Sequence, residues 1–149
     1  ILSVMASRRE IKREYLAIVS GTGLPPSGTV NAPLGRKPDS AIMRMVDFQN
    51  GEPSVTHYRV LKETNGCSLL SLHLETGRTH QIRVHMAYIG HPILGDTVYG
   101  HKKKELGQDT QCLHAGALCF RHPRDGRPVM VFAPLPDYFK EVLQKLQPL

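Results

Sequence analysis

The sequence predicts an α+β domain built on a mainly antiparallel mixed sheet with few flanking helices. Two observations carry that prediction. Short β-prone runs with period-two alternation recur along most of the chain, several joined by Gly-containing turns, whereas only three segments keep a helical apolar stripe. The length of 149 residues, 40% hydrophobic and 21% charged, fits one domain spanning residues 1–149. Such a chain buries roughly 70% of its unfolded surface, enough for a core without staples.

Ile1, Leu2, Met5 and Ile11 form a helical stripe with no N-cap residue before it, so a helix already under way is expected there. Glu14 to Val19 then reads as a strand with Tyr15, Ala17 and Val19 on one face. Thr29 to Leu34 is a short extended piece, and Gly35 to Ser40 reads as a basic loop carrying Arg36 and Lys37. Ala41 to Asp47 and Ser54 to Glu63 are expected to pair around Asn50-Gly51, a strong hairpin signal. Asn65-Gly66 leads into Leu70, Leu72 and Leu74, a half-buried strand by period.

A Gly turn and a short helix follow, with Thr79 as the expected N-cap, Ile82, Met86 and Ile89 on the apolar face, and Gly90 as the stop. Arg83 lies off that face and is expected beside the sheet. His101 to Lys104 is a basic patch; Leu113 to Phe120 and Pro128 to Phe132 pair around Asp125-Gly126. A last helix opens near Pro136, with Tyr138, Phe139, Val142, Leu143 and Leu146 inward.

Composition narrows the function. Nineteen Lys+Arg against thirteen Asp+Glu give a formal charge of +6, which favours phosphate-rich partners. No apolar run approaches the ~18 residues of a membrane helix, so no membrane partner is expected. Three cysteines without a CxxC spacing signal neither a disulfide framework nor a zinc ribbon, and a reducing, cytoplasmic setting is the default. His80 and His85 are five apart, off one helical face, and no carboxylate partners them, so no metal site is expected. Two converging histidines of a phosphodiester hydrolase lack a paired motif, and Cys112 and Cys119 sit in apolar strand sequence where a thiol is inert. The densest chemistry is at Gly77 to Arg83. A helix N-terminus, Arg78, His80, Gln81 and Arg83 together form a candidate phosphate- or base-reading site.

The string Leu74-Glu75-Thr76-Gly77-Arg78-Thr79-His80-Gln81-Ile82-Arg83-Val84-His85-Met86 resembles the signature of the RluA-type RNA pseudouridine synthases, the large-ribosomal-RNA enzymes in particular. Gly90 to Asp96, Tyr99-Gly100, Arg9 to Tyr15, Val55 to Tyr58, Leu113-His114-Ala115 and His122-Pro123 extend the resemblance over essentially the whole chain. The resemblance implies isomerisation of uridine to pseudouridine in structured, ribosomal RNA, by a monomer without cofactor or metal, on a target base flipped from its stack. It makes Arg83 the arginine that pairs with a nucleophilic aspartate, and Tyr15 the tyrosine that packs on the target base. Arg78, His80, Gln81, Arg36 and Lys37 would face RNA. The family's nucleophile stands in a His-Arg-Leu-Asp string, and none of Asp39, Asp47, Asp96, Asp109, Asp125 and Asp137 has that context. The expectation is therefore a C-terminal portion of the catalytic domain, inactive alone, with a non-catalytic RNA-binding module on the same fold as the rival. In the complete enzyme, replacing Arg83 by Met is expected to cost catalysis far more than folding, provided Arg83 is not a core group.

Overall fold

A computed structural model describes residues 12–101 and 110–146. Eight strands and two helices follow in the order β1 (Lys12–Ser20), β2 (Ser27–Asn31), β3 (Leu34–Arg36), β4 (Arg44–Val46), β5 (Val55–Thr64) and β6 (Cys67–Leu74). They continue with α1 (Gln81–Tyr88), β7 (Leu113–Arg121), β8 (Pro128–Phe132) and α2 (Asp137–Leu146). Six strands form one sheet in the order β2-β5-β6-β1-β7-β8, and β3 and β4 form a separate ribbon. Every pair is antiparallel among the described residues, so the sheet is not mixed. No helix among them is long and apolar enough to cross a membrane. The stripe at Ile1 to Ile11 and the lysines at 102–104 lie outside the described residues.

β1 is central because Ala17, Ile18 and Val19 are all fully buried, so this part of the strand is covered on both faces. α1 lies on the face shared by Tyr15, Leu72 and Tyr58, which stand opposite one another across β1, β6 and β5. That row ends on Gly28 of β2, opposite Tyr58. A Cβ on Gly28 would lie only 2.6 Å from the Tyr58 Cζ, so the ring occupies the place of a side chain. α2 packs on the opposite face, where Leu143 and Leu146 share a cavity of about 200 Å³ with Cys67 and Leu69. Its last carbonyl, that of Leu146, accepts from Thr64 Oγ1 and Asn65 Nδ2, tying the helix to the β5–β6 turn. Asn65 (φ 48°) and Gly66 (φ 77°) give that turn the left-handed pair a two-residue hairpin needs.

Four expectations change. Asn50-Gly51 closes no hairpin: β5 pairs with β2 and β6 instead, and Asp47 Oδ1 accepts the Gln49 and Asn50 N–H groups to fold the segment into a capped turn. The hairpin forms one step earlier, at the supposed basic loop, where β3 pairs with β4 and Lys37 N–H donates to the Met43 carbonyl. Only Arg44–Val46 of the expected strand over 41–47 is extended. Thr79 does not cap α1 either. His80 occupies the N-cap position in the left-handed region (φ 57°) and makes no side-chain cap bond. The helix end is as expected: His91 N–H donates to Met86 C=O and Gly90 N–H to Ala87 C=O, a Schellman arrangement around Gly90 (φ 86°).

Candidate active site

Helix α1 is held by polar bonds as much as by its apolar stripe. Ile82 and Met86 are buried as expected, but so are Gln81 and His85. Gln81 Oε1 accepts from Thr76 Oγ1–H (2.7 Å) and Arg78 N–H (3.1 Å), tying the first residue of the helix back to the turn before it. Its Nε2 donates to the Val55 carbonyl and to Thr56 Oγ1, each at 3.0 Å. The Thr56 hydroxyl lies 2.7 Å from His85 Nδ1, and His85 Nε2 lies 2.8 Å from the Ala32 carbonyl. A carbonyl only accepts, so Nε2 carries the proton and Nδ1 accepts from Thr56. Each member of this chain is satisfied, and His85 is fixed as a neutral ring. Burial lowers its pKa from the ordinary 6.5, opposed by the bond to Ala32. Gln81 has no amide atom left to offer outward, which removes it from the RNA-facing set.

Arg83 leaves the apolar stripe, as its position requires, and meets a partner the sequence reading passed over. Its Nε donates to Asp96 Oδ2 (2.8 Å) and its Nη2 to Asp96 Oδ1 (3.0 Å), a two-point fork. Asp96 is wholly buried, and its Oδ1 also accepts the N–H groups of Val98 and Tyr99, both at 3.1 Å. Burial alone would push the Asp96 carboxyl up; the bonds from Arg83 and from the Tyr99 and Val98 N–H groups hold it below the usual carboxylate range. The same bond raises the Arg83 pKa further. Wholly buried and tied to four donors, the ionised carboxylate holds the plane of the Arg83 guanidinium. The Tyr99 ring supports the guanidinium 5.0 Å from its centroid. Arg83 Nη1 has no partner among the described residues.

The Tyr99 hydroxyl extends the cluster. It accepts Arg44 N–H (3.0 Å) and is hydrogen-bonded to His80 Nδ1 at 2.6 Å. His80 is thus held in its left-handed conformation with Nε2 as the second, unshared edge. Burial first, then the charges of Arg83 and Arg44, lower its pKa. Tyr15 is half-buried against the core on the α1 side of the sheet, and its hydroxyl has no partner among the described residues. The sheet is bulged beside it: Glu14 pairs with Ala117 but Tyr15 with Ala115, leaving Gly116 over. Bulges of this kind re-aim a neighbouring side chain.

The remaining candidates cluster separately. Arg36 on β3 stands directly opposite Arg44 on β4. With Gly35, Asn50, Glu52, Gly77, Arg78 and Thr79 they line a polar groove of about 470 Å³. Arg78 donates to the Pro53 carbonyl and pairs with Glu52 at 2.8 Å. Lys37 is exposed next to the groove. Among the described residues no group of three His, Cys, Asp or Glu could hold a metal ion.

A six-stranded antiparallel sheet and a two-stranded ribbon thus carry a Gly-Arg-Thr-His-Gln turn, an arginine oriented by a buried carboxylate and a polar groove lined by three arginines. The sequence model of the RNA pseudouridylate synthase family matches residues 1–88, and the chain belongs to that family. It is 44% identical over 144 residues to an uncharacterized RNA pseudouridine synthase of Bacillus subtilis, covering 97% of this chain and 50% of that protein. It is 43% identical over 153 residues to the ribosomal large subunit pseudouridine synthase D of Nitrosomonas europaea, covering 98% of this chain and 44% of that protein. Among solved structures it resembles human RNA pseudouridylate synthase domain containing 1, with a TM-score of 0.75 and 26% identity over 97% of this chain and 69% of that one. The chain spans about half the length of the curated relatives it matches.

Proposed function

We propose that this chain supplies the Arg83 and Tyr15 side of an RNA pseudouridine synthase site, acting on structured RNA of the large ribosomal subunit, and that residues 1–149 form part of one catalytic domain. The observation that carries the reading is the Arg83–Asp96 fork. Asp96 consumes one edge of the guanidinium and fixes its plane, leaving Nη1 to meet a second carboxylate. In this reading that carboxylate is the nucleophile, from a His-Arg-Leu-Asp string supplied by another segment, and Arg83 keeps it ionised. Tyr15, unpartnered at its hydroxyl and beside a bulge, packs on the flipped uracil. Arg36, Lys37, Arg78 and the free edge of His80 face RNA; no cofactor takes part.

The RNA half of this reading is testable on the chain alone. Binding to a labelled RNA stem-loop, measured by fluorescence anisotropy between 50 and 200 mM KCl, is expected to weaken with a log–log slope of about −0.9 per phosphate neutralised. A flat profile would contradict it.

A further inference from the structure

We propose that the groove between the β3–β4 ribbon and the β6–α1 turn is a clamp for the RNA phosphodiester backbone, with Glu52 as its internal placeholder; this rests on the RNA reading above. The ribbon carries a cost that is otherwise unexplained: Arg36 and Arg44 occupy directly opposed cross-strand positions, and like charges so placed repel. Arg44 spends Nη1 on the Ile42 and Met43 carbonyls, and Arg78 spends Nε on the Pro53 carbonyl and Nη1 on Glu52. Each keeps a further donor edge, and Arg36 has no partner among the described residues. Three guanidinium groups thus line one polar groove whose lining also includes Gly35 and Gly77. A Cβ on Gly77 would meet nothing within 4 Å, so the wall there is open backbone that a sugar-phosphate chain could approach closely.

Phosphate is the ligand class these parts recognise, through forked donors and no base-specific pattern. Asn50 and Thr79 add neutral polar side chains at the rim. Glu52 is the one carboxylate of the groove and is well exposed, so its pair with Arg78 is cheap to break. A phosphate entering the groove displaces Glu52 from Arg78 and relieves the Arg36–Arg44 repulsion. The Arg44 N–H bond to Tyr99, whose ring lies under Arg83, places the clamp one residue from the Arg83 cluster.

The test is anisotropy with a fluorescein-labelled RNA stem-loop on the wild-type chain, Glu52→Gln and Arg36→Ala, both exposed and removable without unfolding. Glu52→Gln is expected to bind roughly threefold tighter, the gain from releasing a surface ion pair. Arg36→Ala is expected to bind more weakly, with a salt slope shallower by about 0.9, equally for the stem-loop and for one of scrambled sequence. If wild-type binding is salt-dependent but neither variant changes it, the clamp is wrong while the RNA reading stands. A loss with Arg36→Ala confined to one RNA sequence overturns phosphate as the ligand in favour of base reading. Wild-type chain that binds no RNA, or binds only an acidic peptide, overturns both.

Discussion

Replacing Arg83 by Met is expected to destabilise the chain by about 3–5 kcal/mol, the range for removing one partner of a buried ion pair. Asp96 has no exposed surface, so it cannot recover the loss by hydration, and only the Val98 and Tyr99 N–H groups would remain on it. The expectation of a catalytic cost far above the folding cost was conditional on Arg83 not being a core group, and its fork with the buried Asp96 removes that condition. Urea denaturation checks it: the midpoint should fall with an unchanged slope. Arg83→Met/Asp96→Leu should recover part of the loss, because no charge is then stranded, but not all, because two N–H groups lose their acceptor. A loss below about 1 kcal/mol in the single variant would mean the pair is solvated and not the fixed fork described above.

Replacing His85 by Leu is expected to cost roughly 2–4 kcal/mol, since it leaves the Thr56 O–H without an acceptor and the Ala32 carbonyl without a donor in the core. By thermal denaturation this is a fall of roughly 5–15 °C for a domain of this size. The pH dependence separates His85 from a merely packed side chain. Its folded pKa is lowered, so the unfolded chain takes up the proton first. The contribution of the neutral ring is present above about 6.5, the ordinary imidazole value, and is lost as pH falls below it. Between pH 7 and 5 the wild-type chain should therefore lose stability more steeply than His85→Leu. Equal slopes would show that His85 takes no part. The Asp96 carboxylate contributes its own loss only at lower pH, below about 3.8, because its folded value is lowered from there.

The strands that face the core were legible because their alternation is dictated by burial: Leu70 and Leu72 are inside for the reason the period gave. The β3–β4 ribbon was not, because its turn is made by Asp39 in a left-handed conformation (φ 65°) rather than by an Asn-Gly pair, while Asn50-Gly51 is claimed by Asp47. The site divided in the same way. Arg83 was visible as a charge off an apolar stripe. Asp96 was not, since it is thirteen residues further on and nothing local marks its partner. The signal available was a Gly-Asp in a loop directly after the fully buried Ile93 and Leu94, where a carboxylate needs a cation. Gln81 read as part of a phosphate- or base-reading turn, whereas with His85 it forms the internal bond chain that seats the helix.

The most direct measurement is pseudouridine formation in a large-subunit ribosomal RNA transcript. It compares the 149-residue chain alone with a chimera in which the preceding part of the Nitrosomonas europaea synthase D leads into it. The account predicts no conversion by the chain alone, conversion by the chimera, and loss of that conversion when Tyr15 in the chimera is replaced by Leu. Turnover by the chain alone would contradict it, because the nucleophile would then have to be one of its own aspartates.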